Sequence, residues 1–241
     1  MNNFFKNLSV AAAFSIVALA TASAQKLDAA PQMHVGDKWT YRYHNTGDRR
    51  EPFTFTNEVK RINGSDAWLY GESAEPNTQA PKFWWRYDHK RGDFMERFVH
   101  DESAPNGLGN RITNRQGSED LFQFPLEPGK KYNAKQFWNN GEGHTDWKVE
   151  VEAFEKIKTE AGEFDTYRIR ATGWWRRTVN GSSSGRAEAT VWVAPTVKRY
   201  VRWEYMDRAP NGSIWSQNKS ELIKWEPATA AGPAVPASAA R

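Results

Sequence analysis

Apolar and polar residues alternate along most of this chain. From Trp147 to Ala153 the odd-numbered positions are apolar and the even-numbered positions are charged, which is the pattern of a β-strand with one buried face. Phe53 and Phe55 alternate with threonines, and Val201 to Tyr205 repeats the pattern. No stretch after residue 25 has the helical periodicity of an amphipathic segment. The chain is therefore predicted to be all-β, with antiparallel strands.

Short turn sequences separate the strand patterns. Each ends in glycine, which adopts the positive φ that tight hairpins need. They are Asn63-Gly64, Asn140-Gly141, Ala161-Gly162, Asn180-Gly181 and Asn211-Gly212. The pattern predicts about ten strands in meanders that form a curled sheet, a barrel-like shell or a sandwich. The alternation breaks between Phe164 and Tyr167, which predicts a bulge near Asp165-Thr166.

Two parts of the chain carry a similar order of landmarks. The first begins at Val35-Gly36-Asp37-Lys38-Trp39 and the second at Pro128-Gly129-Lys130-Lys131-Tyr132. We predict a pseudo-repeat, residues 34–99 and 124–226, in which the Trp84-Trp85 strand corresponds to the Val191-Trp192 strand. The segment 100–123 between them is rich in Gly, Asn and Ser. It is predicted to drape over the sheet or across its mouth.

The two ends of the chain read differently from the β domain at 34–226. Residues 1–24 have a basic start, an apolar run and an Ala22-Ser-Ala24 cleavage pattern, which predict a signal peptide and a periplasmic or secreted protein. Residues 25–33 read as a loose leader. Residues 227–241 contain little besides Ala, Pro, Gly, Ser and Thr, which predicts a disordered tail. No transmembrane segment is expected in the mature chain.

Composition narrows the possible partners. The chain has no Cys, so the predicted fold needs no disulfide and the exported protein carries no lipid on an amino-terminal cysteine. The formal charge of +4 is too small and dispersed to predict nucleic-acid binding. Twelve Trp, 13 Phe and 8 Tyr suit a sheet protein, because wide rings pair across strands and fill the space between layers.

Two sequence motifs resemble catalytic or metal sites without matching their requirements. Gly181-Ser-Ser-Ser-Gly185 places Ser183 in a G-x-S-x-G pattern, but a nucleophile elbow needs a helix after the serine, and here a strand pattern follows. The five histidines show no chelating spacing. We therefore predict no metal and no cofactor.

Three carboxylates form the one enzymatic alternative. Glu150, Glu152 and Glu155 resemble the E-x-D-x-x-E signature of β-jelly-roll glycoside hydrolases, with Glu in place of the middle Asp. Residues i and i+2 of a strand share a face, so Glu150 and Glu152 could both act on a sugar. The opposing interpretation is a solvated strand face, since both residues lie opposite Trp147 and Val149.

Two runs place adjacent tryptophans beside arginines. Neighbouring strand residues face opposite ways, so one Trp of each pair leaves the face that carries the other. An exposed Trp flanked by Arg stacks on sugars or lies at lipid headgroups. The alternative is that both faces of the sheet are covered. The candidate ligand-binding residues are Trp84, Trp85, Arg86, Trp174, Trp175, Arg176 and Arg177.

Three phrases of the second half occur in order: Phe122–Lys130 (FQFPLEPGK), Ala161–Ile169 (AGEFDTYRI), and Val191–Pro195 with Val197–Val201 (VWVAP, VKRYV). Over about residues 122–226 the chain thereby resembles a family of exported bacterial antiparallel-β proteins of unknown function. Val193 departs from the aromatic usual in the W-Y-(S/A)-P phrase. The resemblance implies an extracytoplasmic β fold and transfers no catalytic residue.

These observations favour a non-catalytic, exported or envelope-associated binding module for a glycan or amphiphilic ligand. The alternatives are a polysaccharide hydrolase that uses Glu150 and Glu152, and a structural partner of another envelope protein. A deep apolar cavity would favour a lipid ligand, and a flat Trp-Arg face would favour a glycan.

Overall fold

The computed structural model describes residues 26–45, 51–76, 78, 81–115, 118, 121–138, 141–179 and 183–229. Twelve antiparallel strands form one sheet in this part of the chain, and it contains no α-helix. The prediction of an all-β, antiparallel fold is confirmed. The strands are β1 (Lys38–Asn45), β2 (Phe53–Asn63), β3 (Asp66–Ser73), β4 (Lys82–Asp88), β5 (Asp93–His100), β6 (Leu108–Asn114), β7 (Lys131–Trp138), β8 (Gly143–Thr159), β9 (Gly162–Arg177), β10 (Ser183–Ala194), β11 (Arg199–Arg208) and β12 (Ile214–Glu226).

The sheet curls into a nearly closed, barrel-like shell. Its strand order is β6-β5-β4-β3-β2-β1-β12-β11-β10-β9-β8-β7, so the first and last strands pair in the middle. The two edge strands, β6 and β7, are consecutive in sequence. Ser118 follows β6, and its Oγ accepts a hydrogen bond from the Phe137 backbone N–H of β7 at 2.8 Å. Of the three predicted shapes, the structure has the barrel-like one.

The strand count differs from the predicted number of about ten. One of the twelve strands, β6, lies inside the predicted connecting segment 100–123. Leu121 and Phe122, at the end of that segment, are buried in the core with Leu126. The connection therefore contributes an edge strand and then packs into the core.

Alternation decides which side chains face the interior. On β8, Trp147, Val149 and Val151 are buried, whereas the intervening charged residues lie on the outer face. One core cluster contains these residues with Leu121, Phe122 and Leu126. A second cluster contains Trp39, Tyr41, Val59, Leu69 and Tyr87 of the strands β1 to β4. Burial of apolar side chains on this scale is the main force that holds the fold together.

The predicted leader packs against the domain. Leu27 and Leu126 exchange two backbone hydrogen bonds, of 2.9 and 2.8 Å, and Ala30 and Met33 are buried. Residues 26–33 are therefore not a loose leader, because their apolar side chains complete the core.

Turns and bulges partly follow the predictions. Gly64, Gly162 and Gly212 have positive φ in hairpin turns, as predicted. Residues 140 and 180–182 lie outside the described residues. The bulge predicted near Asp165-Thr166 is wrong: the register there is regular, and β8 is irregular between Val151 and Ala153 instead. Phe164 and Tyr167 do not follow one alternating face of β9, because Phe164 packs against the second core cluster and Tyr167 lies in the first.

Both predicted terminal segments lie mainly outside the residues that the structure describes. Residues 1–24, the predicted signal peptide, and residues 230–241 of the predicted tail lie outside the described residues. Within residues 227–229, the Ala228 backbone N–H donates to Asp37 Oδ1 at 2.9 Å.

Candidate functional site

The four tryptophans of the two predicted pairs lie on opposite faces, as strand geometry requires. Trp85 faces the interior, whereas Trp84 donates through Nε1 to His100 Nδ1 at 3.1 Å. Trp175 is buried, and its ring lies 4.9 Å from that of Trp215. Trp174 is 48% exposed. The two pairs therefore do not combine into one flat tryptophan surface.

The arginines beside these tryptophans are paired with carboxylates or exposed to solvent. Arg86 Nε contacts Glu96 Oε2 at 2.6 Å, and Arg86 Nη1 contacts Asp66 Oδ1 at 3.1 Å. Arg177 Nη2 lies 3.4 Å from Glu142 Oε2, and Arg176 is exposed. Of the seven candidate ligand-binding residues, Trp85 alone lines the cavity described below.

The three candidate carboxylates lie on the outer face in ion pairs. Glu150 Oε1 is 3.2 Å from Lys131 Nζ. Glu152 Oε2 accepts from Arg168 Nε at 2.9 Å, and Glu155 accepts from the same arginine at 3.0 Å. None of the three lines the interior cavity. Ser183 is the first residue of β10, so a strand and not a helix follows it.

The interior contains a cavity of about 400 Å³, within the usual size of small-molecule sites. It is bounded by the inner faces of β1 to β5, β11 and β12, and by the segments that hold Arg115 and Phe122. Its lining residues are Tyr43, Phe53, Phe55, Asn57, Ser73, Glu75, Phe83, Trp85, Tyr87, Gly92, Asp93, Phe94, Arg97, Arg115, Phe122, Arg199, Tyr200, Trp203, Asn218 and Ser220.

Aromatic rings make up half of that wall. They reach it because alternate residues of each strand face inward, such as Phe83, Trp85 and Tyr87 of β4. The Trp85 ring lies 4.7 Å from the Phe94 ring and 5.8 Å from the Phe83 ring, in edge-to-face geometry. Edge-to-face contacts of this kind fix ring positions beyond simple area burial. These rings thus form a preformed apolar part of the wall.

Three arginines also face the cavity, each against an aromatic ring. The guanidinium carbon of Arg97 lies 4.3 Å from the Phe83 ring centre, and that of Arg115 lies 3.7 Å from the Phe94 ring centre. The guanidinium of Arg199 lies between 5.1 and 5.7 Å from four rings, which are those of Trp39, Tyr41, Tyr87 and Tyr200. Cation–π attraction partly offsets the cost of removing these charges from water.

The three arginines differ in their acidic partners. Arg115 Nη1 is 3.6 Å from Asp93 Oδ1, and Arg97 is within electrostatic reach of Glu75. Arg199 makes no ion pair and no hydrogen bond with any residue that the structure describes. Desolvation lowers the pKa of Arg97 and of Arg115, yet a guanidinium stays protonated in proteins. The cavity wall therefore carries fixed positive charge.

Several shielded polar atoms of the wall have no hydrogen-bond partner among the described residues. The donors are Trp85 Nε1, Arg97 Nε, Arg115 Nε, and Nε and Nη1 of Arg199. The acceptor is Asn57 Oδ1. Most buried polar atoms in folded proteins are paired, so this cluster of unpaired donors distinguishes the cavity from the packed core.

The tyrosines around Arg199 supply no counter-charge. Desolvation raises the pKa of Tyr41, Tyr87 and Tyr200, so their hydroxyls stay neutral at physiological pH. The Tyr41 hydroxyl donates to the Tyr200 carbonyl at 2.9 Å, and the Tyr87 hydroxyl donates to the Gly92 carbonyl.

Arg97, Arg115 and Arg199 were not among the residues predicted from the sequence. A partial signal existed on β5, where Arg97 shares its alternation with Met95 and Val99 instead of with the charged positions. No such signal identifies Arg199, because its aromatic neighbours Trp39 and Tyr41 come from a strand at the other end of the chain.

Other features of the described residues are less specific. A second depression, of about 580 Å³, shares Arg115 and Trp203 with the cavity and includes Trp175 and Trp215. The described residues contain no cluster of three or more His, Cys, Asp or Glu side chains able to hold a metal ion. They also contain no helix long and apolar enough to cross a membrane.

No protein-family model matches the chain, and no curated protein sequence matches it. Three crystal structures are similar in fold. A predicted lipoprotein from Parabacteroides distasonis is 15% identical, with a TM-score of 0.45, over 84% of this chain and 100% of that chain. A predicted exported protein with a YmcC-like fold from Bacteroides fragilis is 17% identical, with a TM-score of 0.42, over 83% and 99% of the two chains. The hypothetical lipoprotein YmcC from Escherichia coli is 10% identical, with a TM-score of 0.40, over 79% and 85%.

Proposed function

We propose that this protein is an exported, non-catalytic binding module that shelters an amphiphilic ligand inside its β-shell. The observation that carries the proposal is the interior cavity of about 400 Å³, with its aromatic wall and its unpaired polar donors. A preformed apolar pocket with a few convergent polar groups is the usual form of a ligand site. Export rests on the predicted signal peptide and on the resemblance of residues 122–226 to exported proteins.

An amphiphile fits the site better than a glycan does. Sugar-binding surfaces present aromatic faces together with many paired polar groups, whereas half of the residues that line this cavity are aromatic and five of its shielded donors are unpaired. The tryptophans that were candidates for sugar stacking lie on opposite faces of the sheet, and Trp84 is engaged by His100. The cavity therefore favours the lipid-like ligand among the two predicted classes.

The hydrolase alternative has less support. Retaining and inverting glycosidases hold two carboxyl groups on either side of the scissile bond. Glu150 and Glu152 instead lie on the outer face beside Lys131, Arg168 and Arg170. We therefore place the function in the cavity.

Native mass spectrometry of the protein purified from the envelope of its own cells tests this proposal. We expect the wild-type protein to carry a bound lipid-like molecule. The variant Asn218→Phe adds a ring to the cavity wall and should lose the bound mass. Gln217→Phe is the matched control, because residue 217 is exposed on the same strand and its ring should leave the bound mass unchanged.

A ligand-free spectrum for the wild type, with no mass added after incubation with envelope lipid extract, would refute the proposal. Equal retention of ligand by Asn218→Phe and Gln217→Phe would also refute it, since the ligand would then lie outside the cavity.

A further inference from the structure

Arg199 is the one cavity-facing cation that lacks an acidic partner among the described residues. Asp93 lies beside Arg115, and Glu75 is in reach of Arg97. Four aromatic rings lie 5.1 to 5.7 Å from the Arg199 guanidinium, and three of them belong to neutral tyrosines. Removing a charge from water without a counter-charge lowers the stability of the folded state. A ligand that supplies the missing counter-charge would offset this loss.

We propose that the cavity binds an anionic amphiphile, whose negatively charged headgroup is held at Arg199 and whose apolar chain lies among the rings of β2 and β4. This inference rests on the proposed function and adds the sign of the headgroup charge and the residue that holds it. The chemistry shared by suitable ligands is a single anionic group on an unbranched apolar chain. A fatty carboxylate and an alkyl phosphate both have it.

The distribution of hydrogen-bonding atoms favours an anion over a cation. Five shielded donor atoms on Trp85 and the three arginines lack partners, against one acceptor, Asn57 Oδ1. Carboxylate and phosphate oxygens accept hydrogen bonds and donate none when ionised. A cationic headgroup would instead add charge beside three guanidinium groups.

The aromatic wall provides the matching apolar surface. Phe53, Phe55 and Phe83 line the cavity without polar atoms of their own. Removing an alkyl chain from water into such a surface is favourable, and each further buried methylene tightens binding. Arg199 thus supplies a charged anchor and these phenylalanines an apolar surface within one cavity.

Water is the competing occupant of the space beside Arg199. Ordered water inside proteins compensates unpaired polar groups through two to four hydrogen bonds. Water carries no net charge, however, so a site filled by water alone would not discriminate between a charged and a neutral headgroup on the same chain. That difference supplies the test.

Competition binding with three ligands of equal chain length distinguishes these possibilities. The probes are laurate, dodecyl phosphate and dodecanol, each used below its aggregation concentration against a fluorescent fatty-acid analogue. We expect the better of the two anions to bind wild-type protein at least about tenfold more tightly than dodecanol, as a charge-assisted hydrogen bond implies. Whichever anion binds more tightly identifies the headgroup class.

The variant Arg199→Met tests the residue assignment. Methionine keeps much of the length and apolar character but removes the charge, so we expect the preference for the anion over dodecanol to fall to about onefold. Arg111→Met is the matched control, because Arg111 is exposed on the outer side of β6 in an ion pair with Glu96, and it should keep the preference.

Each outcome has a separate meaning. Equal binding of the anions and dodecanol by wild-type protein would overturn this inference and leave the proposed function standing. Failure of all three ligands to bind would refute the proposed function as well. An unchanged preference in Arg199→Met would overturn the assignment to Arg199. The comparison of ligands on wild-type protein remains decisive even if Arg199→Met does not fold.

Discussion

The two six-strand halves of the shell, β1–β6 and β7–β12, begin in the same way. In the first, Gly36 N–H donates to the Val59 carbonyl at 2.8 Å, and Val59 N–H donates to the Asp37 carbonyl at 2.9 Å. In the second, Gly129 N–H donates to the Val151 carbonyl at 2.7 Å, and Val151 N–H donates to the Lys130 carbonyl at 2.9 Å. Both glycines have positive φ, which is why glycine is required at this turn.

The two halves have different residues at equivalent inward-facing positions. Cross-strand pairing extends a row of residues from each valine over the next three strands. In the first half the row is Val59, Leu69, Trp85 and Arg97, and in the second half it is Val151, Ile169, Val191 and Trp203. The second half has the aliphatic Val191 where the first has the wide ring of Trp85, and it has the ring of Trp203 where the first has the cation Arg97.

This difference explains why the cavity lies mainly against the first half. Small residues of β9 and β10, such as Ala171 and Ala189, let Leu121, Phe122 and Leu126 fill the space beside them. The wide rings of β2 and β4 line the cavity instead. One frame therefore carries different interiors in its two halves, with the cavity mainly against the first half, and the internal duplication inferred from sequence stays a prediction.

The largest expected effect concerns the residue after the shared turn glycine. Asp37 is fully buried, and its Oδ2 accepts from Lys198 Nζ at 2.6 Å and from the His34 backbone N–H at 2.7 Å. Asp37→Asn leaves Lys198 without its counter-charge, so we expect the free energy of unfolding in urea to fall by about 4 kcal/mol. Lys130, at the matching position, donates to the Pro125 carbonyl at 2.9 Å, and Lys130→Met should cost only about 1.5 kcal/mol. Equal losses would show that the halves do not differ here.

The second prediction compares the packed core with the cavity wall. Leu126 is fully buried, so Leu126→Ala should lower the free energy of unfolding by about 3 kcal/mol through lost burial and a new void. Phe55 already borders open space, so Phe55→Leu should cost only about 1 kcal/mol. Urea denaturation followed by circular dichroism measures both. A larger loss for Phe55→Leu would contradict the presence of open space beside Phe55.

The third prediction uses one inward glycine from each half. A methyl group at Gly173 would lie 2.3 Å from the Asp146 carbonyl oxygen. Because this oxygen belongs to the backbone of β8, it can move away only if the strand is strained. A methyl group at Gly71 would meet the Phe83 ring at 2.0 Å, but that ring borders the cavity and can shift. We expect Gly173→Ala to lower the free energy of unfolding by about 2 kcal/mol and Gly71→Ala by about half as much. Gly71→Ala should also weaken ligand binding. If both variants lost the same free energy of unfolding and Gly71→Ala bound ligand normally, there would be no free space beside Phe83.

The smallest effect depends on pH and concerns an inward carboxylate of each half. Asp93 accepts from Gln136 Nε2 at 3.1 Å, whereas Asp207 Oδ1 has no partner among the described residues. Desolvation raises the pKa of Asp207 above its ordinary value of 3.8. The folded state therefore holds this proton more tightly, and the associated stability is full below that value and lost as the pH rises through the folded-state pKa.

Asp207→Asn should consequently stabilise the protein at neutral pH, by less than about 1 kcal/mol because the carboxylate is partly exposed. The gain should vanish below about pH 3.8. Urea denaturation at a series of pH values checks this. Asp93→Asn is the comparison and should destabilise the protein at neutral pH, because it removes a charge beside Arg115. A stabilising Asp93→Asn would contradict the contrast between the two carboxylates.

Much of the fold could be predicted from alternation and from turn glycines, since both are local properties of the chain. The strand β6 was missed for a physical reason: as an edge strand, its side chains are mostly exposed, so Leu108–Asn114 shows no alternating apolar face. The packing of Leu27 onto Leu126 could not be predicted either, because it joins residues 99 positions apart in sequence.

The site was harder to predict than the fold. The paired tryptophans left open which ring of each pair faces the interior, and of the seven candidate residues only Trp85 lines the cavity. The flanking Arg86 and Arg177 lie in ion pairs, and Arg176 is exposed. Arg199 acquires its surroundings from the pairing of β1 with β12 and of β12 with β11, which sequence patterns do not reveal. A buried, unpaired cation is visible only when its neighbours are known.

A crystal structure with bromine on the terminal carbon of bound laurate tests the central claim most directly. The anomalous signal of bromine would locate the chain end, and the density would locate the carboxylate. We predict one bromine site among the rings of β2 and β4, with the carboxylate within hydrogen-bonding distance of Arg199. A bromine site against β8 to β10, on the outer face, or with the carboxylate turned away from Arg199 would contradict the account.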